Sequence, residues 1–302
     1  MIQKLIRFIK DWTLLLALIF GFIFNHFFGY VASTYTEIIP TLIFCMLLLS
    51  FSKLEGGTIK SPFLHIILLG LQLIFGISSY YIFKHFNVDL AEGIMIIILV
   101  STATSAPVVV NLMKGKIEFI TQYLLLSSIS ASIFLPIWFS WINHGFENSF
   151  WSSFTRIATY TLPTILFPLV IALCTRKFAP KTHTYIRKCT SATYYMWAFA
   201  LMILIGSAVN SFLTQDNPNY LFAIIAFIAA FIICSAQLII GKLIGRKYDE
   251  SIGAGQAIAQ KNTVLAIWLS RSFLSPMASL VPTMYIIAQN IINSLQIKKA
   301  TK

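Results

Sequence analysis

Apolar runs recur along the whole chain, separated by short polar breaks, and each is long enough to cross roughly 30 Å of hydrocarbon as a helix. Cutting the sequence at those breaks predicts ten spans, at about 12–30, 38–52, 62–83, 92–113, 119–142, 153–174, 190–212, 219–240, 252–274 and 277–296. No stretch between them has room for a soluble domain. The start, MIQKLIRFIKDW, puts basic residues before an apolar run that no small-residue cleavage site ends, so it reads as an uncleaved first helix.

Ten spans divide into two sets of five, joined by the basic segment CTRKFAPKTHTYIRKC, residues 174–189. An odd number per set inverts the second relative to the first, an organisation typical of secondary transporters. The expected fold is therefore an all-α polytopic membrane protein, one transporter domain over residues 1–302 with ten transmembrane helices arranged as two inverted five-helix repeats. The boundaries are about 11–142 for the first repeat, about 175–189 for a cytoplasmic linker and about 153–296 for the second repeat.

The fourth span of each set departs from the apolar pattern. The first reads GIMIIILVSTATSAPVVVNLMKG, residues 93–115, with a polar insert and a proline that cannot donate a backbone hydrogen bond. The second contains SIGAGQAIAQKNTVLAIWLS, with glycines, two glutamines, a lysine and an asparagine. Both are expected to break inside the membrane. Interrupted helices at matching positions point to a transport site, because freed backbone groups are tolerated only where they line a cavity or are buried in protein.

Lys261 stands out within the second of these. It is about nine residues from either end of its span, roughly 13 Å of helix, too deep to reach the headgroups easily. A charge at such depth costs roughly 2.5 kcal/mol or more. Losing its proton or acquiring an anion makes a buried lysine acceptable. A break near Ala259 would also put Lys261 in the first turn of a new half-helix, whose positive dipole end favours an anion. Gln256, Gln260, Asn262 and Thr263 surround it in sequence, while Gln72 and Asn290 add amides from other spans. Arg156 and Arg271 lie near the outer ends of their spans and are expected to snorkel to the headgroups. The spacing GKLIG, residues 241–245, sits at a helix end and says little alone.

Composition agrees with this picture. The chain is 58% hydrophobic and 11% charged, against about a quarter charged in soluble domains. Its formal charge of +12 reports orientation: with the N-terminus inside, 18 of the 22 Lys and Arg residues fall on one side, from Lys4, Arg7 and Lys10 to Lys298, Lys299 and Lys302. Only Lys84 clearly falls outside. Both termini are expected in the cytoplasm, in the plasma (inner) membrane. The cations are scattered over six short loops and termini, which argues against nucleic acid as a partner. Cys45, Cys174, Cys189 and Cys234 form no closely spaced pair, and His26, His65, His85, His144 and His183 make no zinc signature, so no metal is expected. The acids, from Asp11 to Glu250, fall at span ends or in loops, which disfavours a carboxylate proton relay or an acidic cation cage.

At these residues the chain resembles the bile acid:sodium symporter family, part of a wider group with arsenite exporters and auxin-efflux-type carriers. The matching stretches are IIPTLIFCMLLLSFSKL, Gln72 in LLGLQLIFG, STATSAPVVVNLMKG followed by SSISASIFLPIW, and GQAIAQKNTVLA followed by PTMYIIAQNIINS. The resemblance implies a panel domain, a core domain containing two crossed discontinuous helices, and small or amphipathic organic anions bound between the domains. It also places the family's second sodium site at Gln72 and Gln260. The family's central glutamate is here Gln256, and the asparagine after the crossover glutamine is here Lys261. For the first sodium site the corresponding positions are Ala106, Pro107, Ile120 and Leu124, none of which suits sodium.

A sodium ion held by neutral glutamines alone is poorly compensated, and a lysine ammonium a few ångströms away repels it strongly at low dielectric. The expectation is that Lys261 supplies a tethered charge where the family uses sodium, giving a sodium-independent or proton-linked carrier. Substrate contacts are expected from Thr104, Ser105, Lys261, Asn262 and Asn290. No cofactor is expected; sodium and proton coupling both stay open. The partners expected are an organic anion and the lipid bilayer, with no obligate protein partner. The alternatives are an arsenite- or auxin-efflux-type carrier and a membrane receptor that binds without transporting. An enzyme is not expected, since no carboxylate pair, His/Cys cluster or nucleophile with a base is visible.

Overall fold

Backbone polar groups in hydrocarbon have no water to bond, so apolar runs of this length pair their N–H and C=O groups internally as helices. The structure, a computed structural model, describes residues 16–17, 19–53, 61–142, 149–189, 192–214 and 218–300. Among them everything regular is helical, apart from one isolated bridge. In chain order the helices are α1 (Asn25–Thr34), α2 (Ile38–Phe51), α3 (Pro62–Phe83), α4 (Val88–Leu99), α5 (Ala106–Leu112), α6 (Ile117–Ile142) and α7 (Phe150–Phe178). There follow α8 (Pro180–Lys188), α9 (Ala192–Leu213), α10 (Tyr220–Arg246), α11 (Ser251–Ala259), α12 (Thr263–Phe273) and α13 (Leu280–Ala300).

Five of these are long and apolar enough to cross a membrane: α3, α6, α7, α9 from Tyr195, and α10. The pair α1 and α2, bent by 85°, makes up to six. This is a polytopic membrane protein. The most apolar stretches of α3 and α10 are only 22% and 28% buried, and their free faces carry Phe63, Ile66 and Ile74, and Ile224, Ile228 and Ile232. Such faces need lipid around them.

The predicted spans at 62–83, 119–142, 153–174, 190–212 and 219–240 coincide with helices. The span at 12–30 begins outside the described residues, as do Lys4, Arg7, Lys10, Lys60, Lys302, Asp11, Glu55, Glu147, Asp216 and His144. The spans at 92–113 and 252–274 are each two helices, α4 with α5 and α11 with α12. The basic segment after residue 174 is helical as well: α7 runs on to Phe178 and α8 restarts at Pro180. Proline lacks the N–H that would continue α7, yet its fixed φ suits the first turn of a new helix.

Two groups of helices emerge from the packing. In one, α9 packs on α1 and α2, and α2 packs on α7. In the other, α3 packs on α4, α10 packs on α11 and α13, and α6 packs on α5 and α11. The GKLIG spacing belongs to the second group and does more than its sequence suggested. A Cβ at Gly241 would strike the backbone at Ala254 and Gly255, and one at Gly245 would strike Ala254 and the Glu250 carbonyl. These two glycines let α10 press against the short α11.

Candidate functional site

The helix α4 stops at Leu99 and α11 stops at Ala259, and the chain after each runs extended. The two extended pieces lie antiparallel. Thr102 and Lys261 form a bridge, with Ala103 N donating to Gln260 O at 2.8 Å and Asn262 N donating to Ser101 O at 2.9 Å. Each break thus supplies partners for backbone groups that the other leaves free, which is what allows two broken helices to be buried. Asn262 also caps the next helix, its Oδ1 accepting from Leu265 N at 3.2 Å.

The carbonyls at the end of α4 still need donors, and side chains from elsewhere provide them. Gln72 Nε2 of α3 donates to Leu99 O at 2.9 Å and to Val100 O at 3.0 Å. Tyr123 of α6 holds that amide in place, donating to Gln72 Oε1 at 3.0 Å. The end of α11 has a matching device. Tyr285 Oη of α13 lies 2.8 Å from both Ala259 O and Gln237 Oε1 of α10, with one proton to share between them.

Lys261 completes the carbonyl end of α4. Its Nζ donates to Ile98 O at 2.7 Å and to Val100 O at 3.3 Å, and its backbone N–H donates to Gln289 Oε1 at 2.7 Å. The expectation of a lysine facing a positive helix end is therefore corrected. Lys261 lies in the break before α12, and its side chain turns back to the negative end of the opposing half-helix, where a cation is favoured. The two carbonyls take two N–H groups. An ammonium keeps a third proton beyond those, and a neutral amine keeps a lone pair instead.

Other polar groups form a chain behind the breaks. Gln256 Nε2 donates to Asn293 Oδ1 at 3.1 Å, Asn293 Nδ2 donates to Gln260 Oε1, and Gln260 Nε2 donates to Ser105 Oγ at 3.2 Å. Thr102 Oγ1 donates to Ala257 O at 2.6 Å, and Thr102 N donates to Ser127 Oγ at 3.1 Å. Of α6, Ser127 is the hydroxyl that reaches the first break; Ile120 and Leu124, the positions the resemblance indicated, are apolar and buried. Beside the breaks, the buried oxygens Gln256 Oε1 and Ser101 Oγ stand without a donor among the described residues.

In front of the breaks is a cavity of about 450 Å³ between the two groups of helices. Thr104, Ser105, Asn262 and Asn290 all border it, so the predicted substrate contacts converge there. Gln260 borders it too, whereas Gln72 and Gln256 lie behind, occupied with carbonyls and Asn293. Lys261 is the exception among the predicted contacts: it adjoins the cavity with 0% exposure, its side chain turned to α4. The opposite wall is apolar, from Ile43, Met46 and Leu47 of α2 and Trp197 of α9. Lys53, exposed just beyond α2, lies at its rim, and among the described residues no Asp or Glu borders the cavity. Apolar walls with a few placed amides and hydroxyls are the usual make-up of a small-molecule site.

A family model described as the sodium bile acid symporter family matches residues 56–240. The chain belongs to this symporter family. No curated protein matches it. The match takes in α3, the whole first break and α6, and ends before the second break, where Gln256, Gln260 and Lys261 lie. The membership supports a symporter-like transporter.

Several residues of the site were not evident from the sequence. Tyr123 and Tyr285 look like ordinary aromatic residues of apolar helices, and Gln237 and Asn293 like isolated amides. Their one common signal is a lone polar group on an otherwise apolar face. Arg271 is partly buried, with Nη2 donating to Ser211 Oγ of α9 at 3.0 Å. At the far edge of the breaks Lys116 joins Asp249 at 2.9 Å and Glu250 at 3.4 Å, tying the loop before α6 to the loop before α11.

Proposed function

We propose that this protein is a secondary transporter of a small or amphipathic organic anion, in which the Lys261 side chain serves at the core in place of the family's sodium ion. The observation that carries this reading is the placement of Lys261 Nζ on the carbonyls of Ile98 and Val100, with no acid beside the cavity among the described residues. A free cation at that spot competes with the lysine both for the carbonyls and by charge repulsion. Proton coupling follows from the same geometry, since a proton can be gained or lost at Nζ while both carbonyl bonds stay made. The test is transport by Lys261→Asn in proteoliposomes: sodium-independent, pH-dependent flux in the wild type is expected to lose its pH dependence, and unchanged rate and pH profile would sink the reading.

The wider architecture in this proposal is ten crossings in two inverted repeats, with α1, α2, α7 and α9 as the panel and the remaining spanning helices as the core. The paired devices Gln72 with Tyr123 and Gln237 with Tyr285 support it, because each joins a long helix before a break to the first long helix after it. The basic asymmetry of the loops supports cytoplasmic termini in the plasma membrane, and it makes the cavity, with Lys53 at its rim, open to the cytoplasm. Nothing in this reading requires a cofactor, an enzymatic step or a protein partner.

One observation favours a second reading, sodium-coupled symport. Gln256 Oε1 and Ser101 Oγ are buried oxygens without donors, the kind of neutral ligand that a cation accepts. Melting temperatures of the purified protein in sodium, potassium and choline chloride across pH 6 to 9 separate the two, because an ion that binds the folded state raises the melting point by mass action. A rise specific to sodium favours the second reading.

A further inference from the structure

Arg271 stands on the last turn of α12, seven residues beyond Val264 at the cavity edge, or about 10 Å further along the helix. Its Nη2 is bonded to Ser211, while Nη1 is buried with no hydrogen-bond partner at all. Among the described residues no carboxylate is ion-paired with it. A guanidinium is always charged, and charged groups inside a membrane protein are almost always paired or placed on a substrate path. An unpaired one with a free N–H is poised for an anion that arrives from outside the chain.

The position of Arg271 says which anion. It lies on the seam between α9 and α12, and the same two helices border the cavity at their other ends, through Thr193 and Trp197 of α9 and Thr263 and Val264 of α12. We propose that Arg271 and Ser211 form a second anion station, which takes the oxyanion of the transported molecule when the seam opens on the side away from Lys53. The ligand is a carboxylate carried on an apolar body: the guanidinium fork recognises the carboxylate, and the apolar cavity wall the body. This rests on the anion-transport reading and extends it, giving the substrate a cation at each end of its route.

The test uses the full chain purified in uncharged detergent, with choline benzoate as the probe and choline chloride as the control. Benzoate is expected to raise the melting temperature of the wild type. Arg271→Gln should lose most of that rise, Arg271→Lys should keep part of it, and Ser211→Ala should reduce it. Because Arg271→Gln removes a buried charge, it is expected to fold, and Ser211→Ala provides the same test with the arginine intact. No rise in the wild type, or a rise that both Arg271→Gln and Ser211→Ala keep in full, overturns the station. A rise produced by phosphatidylglycerol but not by benzoate overturns it as well, assigning Arg271 to a lipid headgroup. Lys261→Asn is run alongside: loss of the benzoate response there but not in Arg271→Gln confines anion binding to the cavity, whereas failure of the transport reading itself is seen in the flux of Lys261→Asn.

Discussion

The two breaks are built alike and charged differently. At the first, α4 ends on Leu99, hydroxyl and small residues follow it, and its last carbonyls are met by the Gln72 amide with Tyr123 behind it. At the second, α11 ends on Ala259, whose carbonyl is met by the Tyr285 hydroxyl with Gln237 behind it. The first break contains no charge and leaves carbonyl oxygens to fill; the second brings Lys261 and fills them. A pair of similar elements thus becomes polar when one supplies the negative end of a half-helix and the other the cation. The comparison explains how a lysine is buried without a carboxylate: the α4 terminus is its partner.

The comparison breaks most readily at Lys261. Replacing it by methionine keeps the apolar stem and deletes the donors, leaving the Ile98 carbonyl unsatisfied at about 1–3 kcal/mol and Val100 O with the Gln72 amide alone. Urea or thermal unfolding should show a loss of that order, together with loss of transport; an unchanged melting curve means that the ammonium is not what closes α4.

The next effect sharpens the comparison through glycine. A Cβ at Gly76 of α3 meets the flexible end of Leu99, whereas one at Gly241 of α10 meets the backbone of α11. Gly241→Ala is therefore expected to destabilise by about 1–3 kcal/mol and Gly76→Ala by clearly less. Equal losses in unfolding experiments would mean that the two breaks are packed with similar tolerance.

A smaller difference separates the tyrosines. Tyr123→Phe takes the donor from one acceptor, Gln72 Oε1, while Tyr285→Phe takes a proton shared by two, Gln237 Oε1 and Ala259 O. The second variant should be the less stable by about 1 kcal/mol, and a larger loss in Tyr123→Phe reverses the assignment.

The smallest effect concerns the ion pairs of Lys116, which link the loops beside the two breaks. Its hydrogen bond to Asp249 raises its pKa above the ordinary lysine value, so the folded protein holds the proton more tightly than the unfolded chain. That contribution is complete at neutral pH and fades only as the pH climbs through the raised value, above about 10.5. Lys116→Met should shift the melting point only slightly, less still in high salt, and the difference from wild type should vanish under strongly alkaline conditions.

Much of the site was legible because polar residues in an apolar chain are conspicuous. Gln260 and Asn262 stood out on that ground, Thr104, Ser105 and Asn290 through the family resemblance, and all border one cavity. Lys53 was overlooked because loop lysines are common, and only the fold brings it to the rim. Tyr123 and Tyr285 were overlooked because a hydroxyl on an aromatic ring hardly changes the hydropathy pattern. The segment after residue 174 was taken for a linker because it is basic, yet charge does not prevent helix, and Pro180 only divides it.

By itself the sequence determined the helical class, the membrane environment, the places where two helices break and the presence of a buried lysine among amides. Those follow from the composition and order of side chains, since solvation in lipid acts on each segment separately. The tertiary structure alone decided which way Lys261 points. Its direction depends on the carbonyl end of α4, more than 150 residues earlier in the chain, being brought antiparallel to the second break. A half-helix terminus becomes the counter-charge of a distant lysine only once the two are packed together, and no local pattern encodes that meeting.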